Sequence, residues 1–150
     1  HILWRQLRKR GIDPAPIATK HPTICYPSWT REFYLGGAKE YVRYEAAKAI
    51  HVDAAIESAS WGLFQLLGLN YRAAGFKTPQ EFLLAHKQGE RQQLDAICRW
   101  MKQNGLADRL ADKNWETFAR VYNGPGQVAL YSGRLRVAYE KAVARGWNDA

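Results

Sequence analysis

The amino-acid sequence predicts a mainly α fold of about seven helices with one small hairpin-like turn. Three observations carry that expectation. Apolar residues recur three and four places apart through most of the chain. Helix start and stop residues flank those stretches, and no run alternates apolar and polar residues as a half-buried strand would. The 150 residues suit one domain, and 47% hydrophobic residues suffice for a core.

Taken in order, His1 to Arg10 has Ile2, Leu3 and Leu7 on one helical face, with Gly11 as its C-terminal stop. Between Ile12 and Ser28 stand Pro14, Pro16, Pro22 and Pro27, a density that predicts an irregular surface loop and a candidate lip of a cleft. Gly36-Gly37 is a break before a helix over Ala38 to Ile50, in which Tyr41, Val42, Ala46, Ala49 and Ile50 are the apolar set. Asp53 is read as the cap of a short helix through Glu57. Ser58 to Gln65 leaves helical character, and Leu66 to Ala74 returns to it, ending at Gly75. Thr78-Pro79-Gln80-Glu81 combines a capping residue, a first-turn proline and a capping-box glutamate, so a helix runs from there to about Lys87. Gly89 separates it from a helix over Glu90 to Asn104, with Leu94, Ile97, Cys98 and Met101 apolar. Asn114 to Val121 is the next helix, Tyr122 to Gly126 a turn, and Gln127 to Arg145 the last helix, closed by Gly146. In that last helix Leu130, Leu135, Ala138, Tyr139 and Ala142 are spaced to face a core. Helical residues at the very start predict a helix continuing from a segment before His1.

A formal net charge of +8 favours polyanionic surroundings without choosing among nucleic acid, anionic lipid and cell-wall polymers. Cys25 and Cys98 are too few for a disulfide framework and read as free thiols, with a single bridge between them as the alternative. No run of eighteen apolar residues is present, so no integral-membrane helix is expected. His1, His21, His51 and His86 are scattered, which argues against a metal site, and no phosphate-binding glycine loop or serine nucleophile elbow is present, so no cofactor is expected. The six tryptophans and eight tyrosines are assigned mainly to the core.

Two stretches carry chemistry. In Glu57-Ser58-Ala59-Ser60-Trp61-Gly62-Leu63-Phe64-Gln65, Gly62 permits a chain reversal that Leu63 and Phe64 would anchor, leaving Gln65 as a paired donor and acceptor at a cleft floor. A buried turn with a satisfied glutamine is the plainer reading. In Phe118-Ala119-Arg120-Val121-Tyr122-Asn123-Gly124-Pro125-Gly126, Tyr122 can set a phenol beside a carboxyl group and Asn123 can bind a substrate. An ordinary helix terminus fits the same residues.

Ser58-x-Ser60-Trp61-Gly62-Leu63-Phe64-Gln65 resembles the Gly-Leu-Met-Gln type motif shared by goose-type lysozymes and lytic transglycosylases. Tyr122-Asn123-Gly124-Pro125-Gly126 resembles the Tyr-Asn-x-Gly-Pro motif of the transglycosylases. A longer ordered series is similar to the N-acetylmuramidase domain of phage endolysins over nearly the whole chain. It adds Gly68 and Asn70, Gly75-Phe76, Phe82, Glu90 with Gln93-Leu94, and Trp115 with Phe118-Ala119-Arg120. Leu66-Leu67 stands where that family usually shows Ile-Met, a volume-conserving change.

The resemblance implies a lysozyme-like fold whose hairpin and Tyr-Asn-Gly-Pro corner meet across one groove. It implies a glycosidase cutting between N-acetylmuramic acid and N-acetylglucosamine, with Ser58, Ser60, Gln65, Tyr122 and Asn123 on the substrate. The family's catalytic glutamate is expected on a helix upstream of His1, with a second acidic residue just before it. Within the chain, Glu57 is the candidate acid by proximity to the motif, and a solvated surface glutamate is the other reading of it. Peptidoglycan strands are the expected partner, with no nucleic acid and no membrane insertion, and the protein is expected to be a monomer. As a phage-type product it would be made in a bacterial cytoplasm and act on the wall from the periplasm. A lytic transglycosylase on the same bond and a non-catalytic wall-binding or nucleic-acid-binding module are the alternatives.

Overall fold

A computed structural model describes residues 1–147. Among them are nine α-helices, a two-stranded sheet and three short 3-10 turns: α1 (Ile2–Lys9), α2 (Ala15–Lys20), α3 (Glu40–Ile50), α4 (Val52–Ser58), β1 (Ser60–Trp61), β2 (Leu66–Leu67), α5 (Pro79–Gln88), α6 (Glu90–Gln103), α7 (Leu106–Ala111), α8 (Trp115–Asn123) and α9 (Val128–Ala144). The chain forms two compact units, His1–Trp100 and Met101 onward. No helix among the described residues is long and apolar enough to cross a membrane.

The first unit is organised around α4. Four successive residues of it, Ala54, Ala55, Ile56 and Glu57, are buried, and four successive helical positions point to every side. A helix enclosed all round needs small or apolar residues on every face, which explains the alanines. Leu3 and Leu7 of α1, Cys25 and Ala47 of α3 pack with Ala54 and Ala55 in one cluster. α1 stops where expected: Gly11 takes φ +73°, its N–H meets the Arg8 carbonyl, and the Ile12 N–H reaches back to Leu7.

Several sequence-based expectations give way here. The proline-rich stretch is not wholly irregular, because Pro14 and Pro16 lie at the start of α2, where a missing N–H costs nothing. Asp53 does not cap α4. His51 does, with an extended backbone and its Nδ1 accepting the Ala54 N–H, while Asp53 lies in the first turn and accepts from Gln80. Residues 66–74 are not a helix but β2 followed by a 3-10 turn over Gly68–Asn70. The cause is Gly68, which lies so close to α4 that a Cβ there would sit 2.0 Å from the Ile56 carbonyl oxygen. Its N–H bonds to the Ala59 carbonyl at 2.8 Å, drawing the segment into strand pairing. In α3 the buried residue is Ala47, while Tyr41 and Val42 are exposed. In α6 the buried face is Ala96, Ile97 and Trp100, leaving Leu94 and Cys98 exposed. Of the tryptophans and tyrosines, Trp61, Tyr71 and Trp100 are buried, and all the others are half-buried or exposed.

The α5 start follows its signals. Thr78 Oγ1 accepts the Glu81 N–H, Pro79 is in the first turn, and the Glu81 carboxylate reaches back to the Lys77 N–H. In the second unit, α7 follows the left-handed Gly105; six residues were too short to declare a periodicity. Asn114 caps α8 by accepting the Thr117 N–H, and α8 includes Tyr122 and Asn123, so the turn begins only at Gly124. In α9 Ser132 is the buried residue; Leu135, Tyr139 and Ala142 are half-buried, and Leu130 and Ala138 are exposed.

Gly68→Ala is expected to lower stability by about 3 kcal/mol, since the new methyl meets backbone rather than a movable side chain. Urea denaturation measures it, and a loss below about 1 kcal/mol would contradict the close approach.

Candidate functional site

The hairpin is built on the end of α4. A helix leaves its last carbonyls without partners. Here the Ile56 carbonyl receives the Trp61 indole N–H at 2.9 Å. Ser60 pairs with Leu67 and Trp61 with Leu66 in antiparallel register. Trp61 and Leu66 are the buried anchors, against the expectation for Leu63, which is 66% exposed, and Phe64, which is half-buried. Strand alternation explains the exchange: the side chains facing the core flank the turn and are not in it. Tyr44 of α3 meets the Trp61 ring edge-on at 4.8 Å between centroids.

The turn itself is fixed from both sides. Gly62 takes φ +70°, and a Cβ there would meet the Gln93 side chain at 2.7 Å. Gln93 of α6 accepts the Leu63 N–H at 2.7 Å and donates to the His86 carbonyl at 2.8 Å. Gln65 is exposed, in the left-handed region at φ +50°, with its Nε2 donating to the Gly62 carbonyl. A non-glycine residue there costs about 1–2 kcal/mol, so the turn holds Gln65 outward at a cost in strain. Behind it, His86 Nδ1 lies 2.8 Å from the Phe82 carbonyl, which can only accept, so Nδ1 carries the proton.

Two adjoining depressions lie between α3 and the hairpin. One is lined by Ser58, Ser60 and Leu67 opposite Tyr26, Tyr34, Glu40 and Arg43. The other is lined by Ser60, Trp61, Gly62 and Gln65 opposite Gly37, Glu40 and Tyr41. Tyr44, Ala59, Ser60 and Glu40 border both. The hairpin therefore brings Ser58, Ser60 and Gln65 to one surface, hydroxyls and an amide facing aromatic rings. Such a surface suits a ligand with polar edges and apolar faces. Tyr122 and Asn123 lie together on the last turn of α8 in the second unit. Tyr122 stacks on Phe118 at 5.4 Å, and burial raises the pKa of its phenol, while Asn123 is exposed.

Glu57 stands apart from those linings and is not a solvated surface residue. It is buried, and its Oε1 accepts from Arg10 Nη2 at 2.8 Å, tying α4 to α1, while Oε2 is buried without a hydrogen-bond partner. The carboxylate that does border both depressions is Glu40, which sequence reasoning passed over. Its Oε1 accepts the Leu35 and Gly36 N–H groups at 2.5 and 2.9 Å, and its Oε2 pairs with Arg43 at 2.7 Å. Burial works against its ionisation, but the Gly36 N–H, the Arg43 guanidinium and the Leu35 N–H outweigh it and hold its pKa below the ordinary value. The available signal was Glu40-x-x-Arg43 at helical spacing beside Tyr41 and Tyr44, which reads equally as a solvated face. Among the described residues no group of three His, Cys, Asp or Glu side chains could hold a metal ion.

The comparisons place this fold in a class. The chain is similar to the crystal structure of a Burkholderia AP3 phage endolysin, with a TM-score of 0.81 and 34% sequence identity, over 96% of this chain and 54% of that one. It therefore has the mainly helical, lysozyme-like fold of a phage endolysin relative, and spans about half that protein's length. The family model of N-acetylmuramidase matches residues 1–143, and the chain belongs to that family. Comparison with curated proteins gives no match.

Two predictions follow from the packing. Arg10→Ala leaves the Glu57 carboxylate buried and unpaired and is expected to cost about 3 kcal/mol in urea unfolding. Glu57→Ala is expected to cost less, because the Arg10 side chain is 24% exposed and can turn to water; an equal or larger loss in Glu57→Ala would contradict this account.

His86 generates the second. Burial lowers its pKa below 6.5, against the opposing bond to Phe82. Below 6.5 the unfolded chain therefore binds a proton that the folded chain resists, and stability falls as pH falls. Urea midpoints measured from about pH 7 to about pH 5 are expected to decline more steeply in the wild type than in His86→Gln. Parallel slopes would show that His86 does not contribute.

Proposed function

We propose that this chain is the substrate-holding part of a peptidoglycan hydrolase that cuts between N-acetylmuramic acid and N-acetylglucosamine. The observation that carries the reading is the groove: Ser58, Ser60 and Gln65 gathered against α3 aromatics by a hairpin, in a chain that an N-acetylmuramidase family model matches over residues 1–143. Sugar rings offer hydroxyl and acetamido edges to the former and apolar faces to the latter.

Glycoside cleavage needs a carboxylic acid that is protonated when the bridging oxygen departs. Glu40 is held ionised, and Glu57 is engaged with Arg10. The resemblance implies that the acid lies outside these residues, and Glu57 is left with a packing role. Ser58 and Ser60 orient water or substrate; hydroxyls are too weakly basic to replace a carboxylate. Gln65 positions the sugar, and Tyr122 and Asn123 are substrate contacts by the family resemblance. Folded on its own as a monomer, the protein would be made in a bacterial cytoplasm and act on the wall from the periplasm, binding neither nucleic acid nor lipid as a substrate.

The test uses the full-length gene product on purified peptidoglycan. Borohydride reduction and mass spectrometry are expected to find reducing N-acetylmuramic acid ends. Anhydro-muramic ends would replace hydrolysis by transglycosylation, and no new ends at all would sink the reading in favour of a binding module. Gln65→Ala and Tyr122→Phe are each expected to keep the fold and reduce turnover about tenfold or more; unchanged turnover in both would remove them from the site.

A further inference from the structure

We infer that the Glu40–Arg43 pair is a lock that holds residues 23–36 in place as one wall of the groove, and so sets the affinity for a glycan strand. The inference rests on the hydrolase reading for its ligand and on geometry for the lock.

Residues 21–36 contain neither helix nor strand. Their backbone hydrogen bonds are local: Ile24 and Cys25 N–H to the His21 carbonyl, and Tyr34 N–H to the Arg31 carbonyl. A segment without a ladder needs anchors from elsewhere to keep one shape. One pair on the first turn of α3 supplies them at both ends. Arg43 Nη2 donates to the Thr23 carbonyl at 3.0 Å and to the Tyr26 hydroxyl at 3.3 Å, holding the beginning. The Glu40 carboxylate takes the Leu35 and Gly36 N–H groups, holding the end. The guanidinium also lies 5.1 Å from the centroid of the Tyr34 ring. The Glu40–Arg43 bond at 2.7 Å couples the two ends to each other.

What is held matters because Tyr26 and Tyr34 line the same depression as Ser58 and Ser60. Displacing the strap moves aromatic wall and leaves the hydroxyl side untouched, since that side is fixed by α4 and the hairpin. The Arg43 side chain is 17% exposed and Glu40's is 34% exposed, so the pair is screened from water more than a surface ion pair. A guanidinium is required for the arrangement: its planar fork serves Glu40 with one nitrogen and Thr23 and Tyr26 with the other, which a lysine ammonium cannot do at once. Neither residue reaches the reacting bond in this account; both are positioning residues.

The test pairs a physical readout with a kinetic one on the full-length protein. Arg31 is exposed within the strap, so trypsin reports its opening. Arg43→Gln is expected to be cut after Arg31 about tenfold faster than wild type at unchanged far-ultraviolet circular dichroism. On peptidoglycan the same variant is expected to raise KM about tenfold with kcat within about twofold. Glu40→Gln, which keeps an acceptor for the two N–H groups but loses the charge, is expected to show the same pattern to a smaller degree and stands in if Arg43→Gln fails to fold. Arg43→Lys is expected to restore neither readout fully. Unchanged trypsin cleavage in a folded variant overturns the lock. Faster cleavage with unchanged KM overturns its role in the groove, as does a fall in kcat equal to the rise in KM. A wild-type protein that releases no ends from peptidoglycan sinks the hydrolase reading and the glycan half of this one, while the trypsin comparison still decides whether the strap is locked.

Discussion

The carbonyl at the end of α4 is the point on which the site depends. A helix that finishes inside a protein must find donors for its last oxygens, and the Ile56 oxygen finds the indole of Trp61 five residues on. The same oxygen leaves no room for a side chain at position 68, so the returning strand can lie against α4 only as glycine. These two demands, a donor from one strand and empty space from the other, fix both arms of the hairpin to the most enclosed helix of the first unit. Ser58 and Ser60 then have one place to be, and Gln65 is presented outward by a backbone that resists its conformation. Strain of this kind persists where surrounding contacts over-determine the chain, and it collects at functional positions.

Much of this was legible in the sequence, for identifiable reasons. Local devices read well because they act through nearest neighbours: Gly11, and Thr78 with Pro79 and Glu81, do what their chemistry suggests. The chain reversal around Gly62 was legible too. Features decided by long-range contact did not show. Leu66 and Leu67 begin a stretch that reads as helix, and only the approach to α4 makes a strand of them. Pro14 and Pro16 look like helix breakers until they are seen to begin one. Asp53 is a better cap than His51 by propensity, yet the extended backbone falls at His51.

The aromatic residues show the same division. Counting them suggested core, but burial is a property of the face on which they land. Tyr41 is 60% exposed beside the groove, while Tyr71 and Trp61 are enclosed. The Glu40–Arg43 pair escaped notice because its importance lies in what it reaches, a segment some twenty residues earlier, and no spacing rule records that.

Two carboxylate–guanidinium pairs in the first unit illustrate how burial divides labour between like chemistries. Arg10–Glu57 joins α4 to the residue that ends α1 and its carboxylate is buried, so losing the guanidinium strands that carboxylate and the consequence is thermodynamic. Glu40–Arg43 sits at the groove's edge and holds backbone groups of a segment that has no ladder of its own, so the consequence is one of shape. Neither carboxylate suits proton donation to a leaving sugar. One is committed to an ion pair away from the groove, and the other is held charged by three donors beside it. A glycosidase acid has to be protonated when the bond breaks, in surroundings that disfavour its charge. The groove linings of this unit offer hydroxyls, an amide, rings and one carboxylate whose pKa is held below the ordinary value, and none of these is a protonated acid.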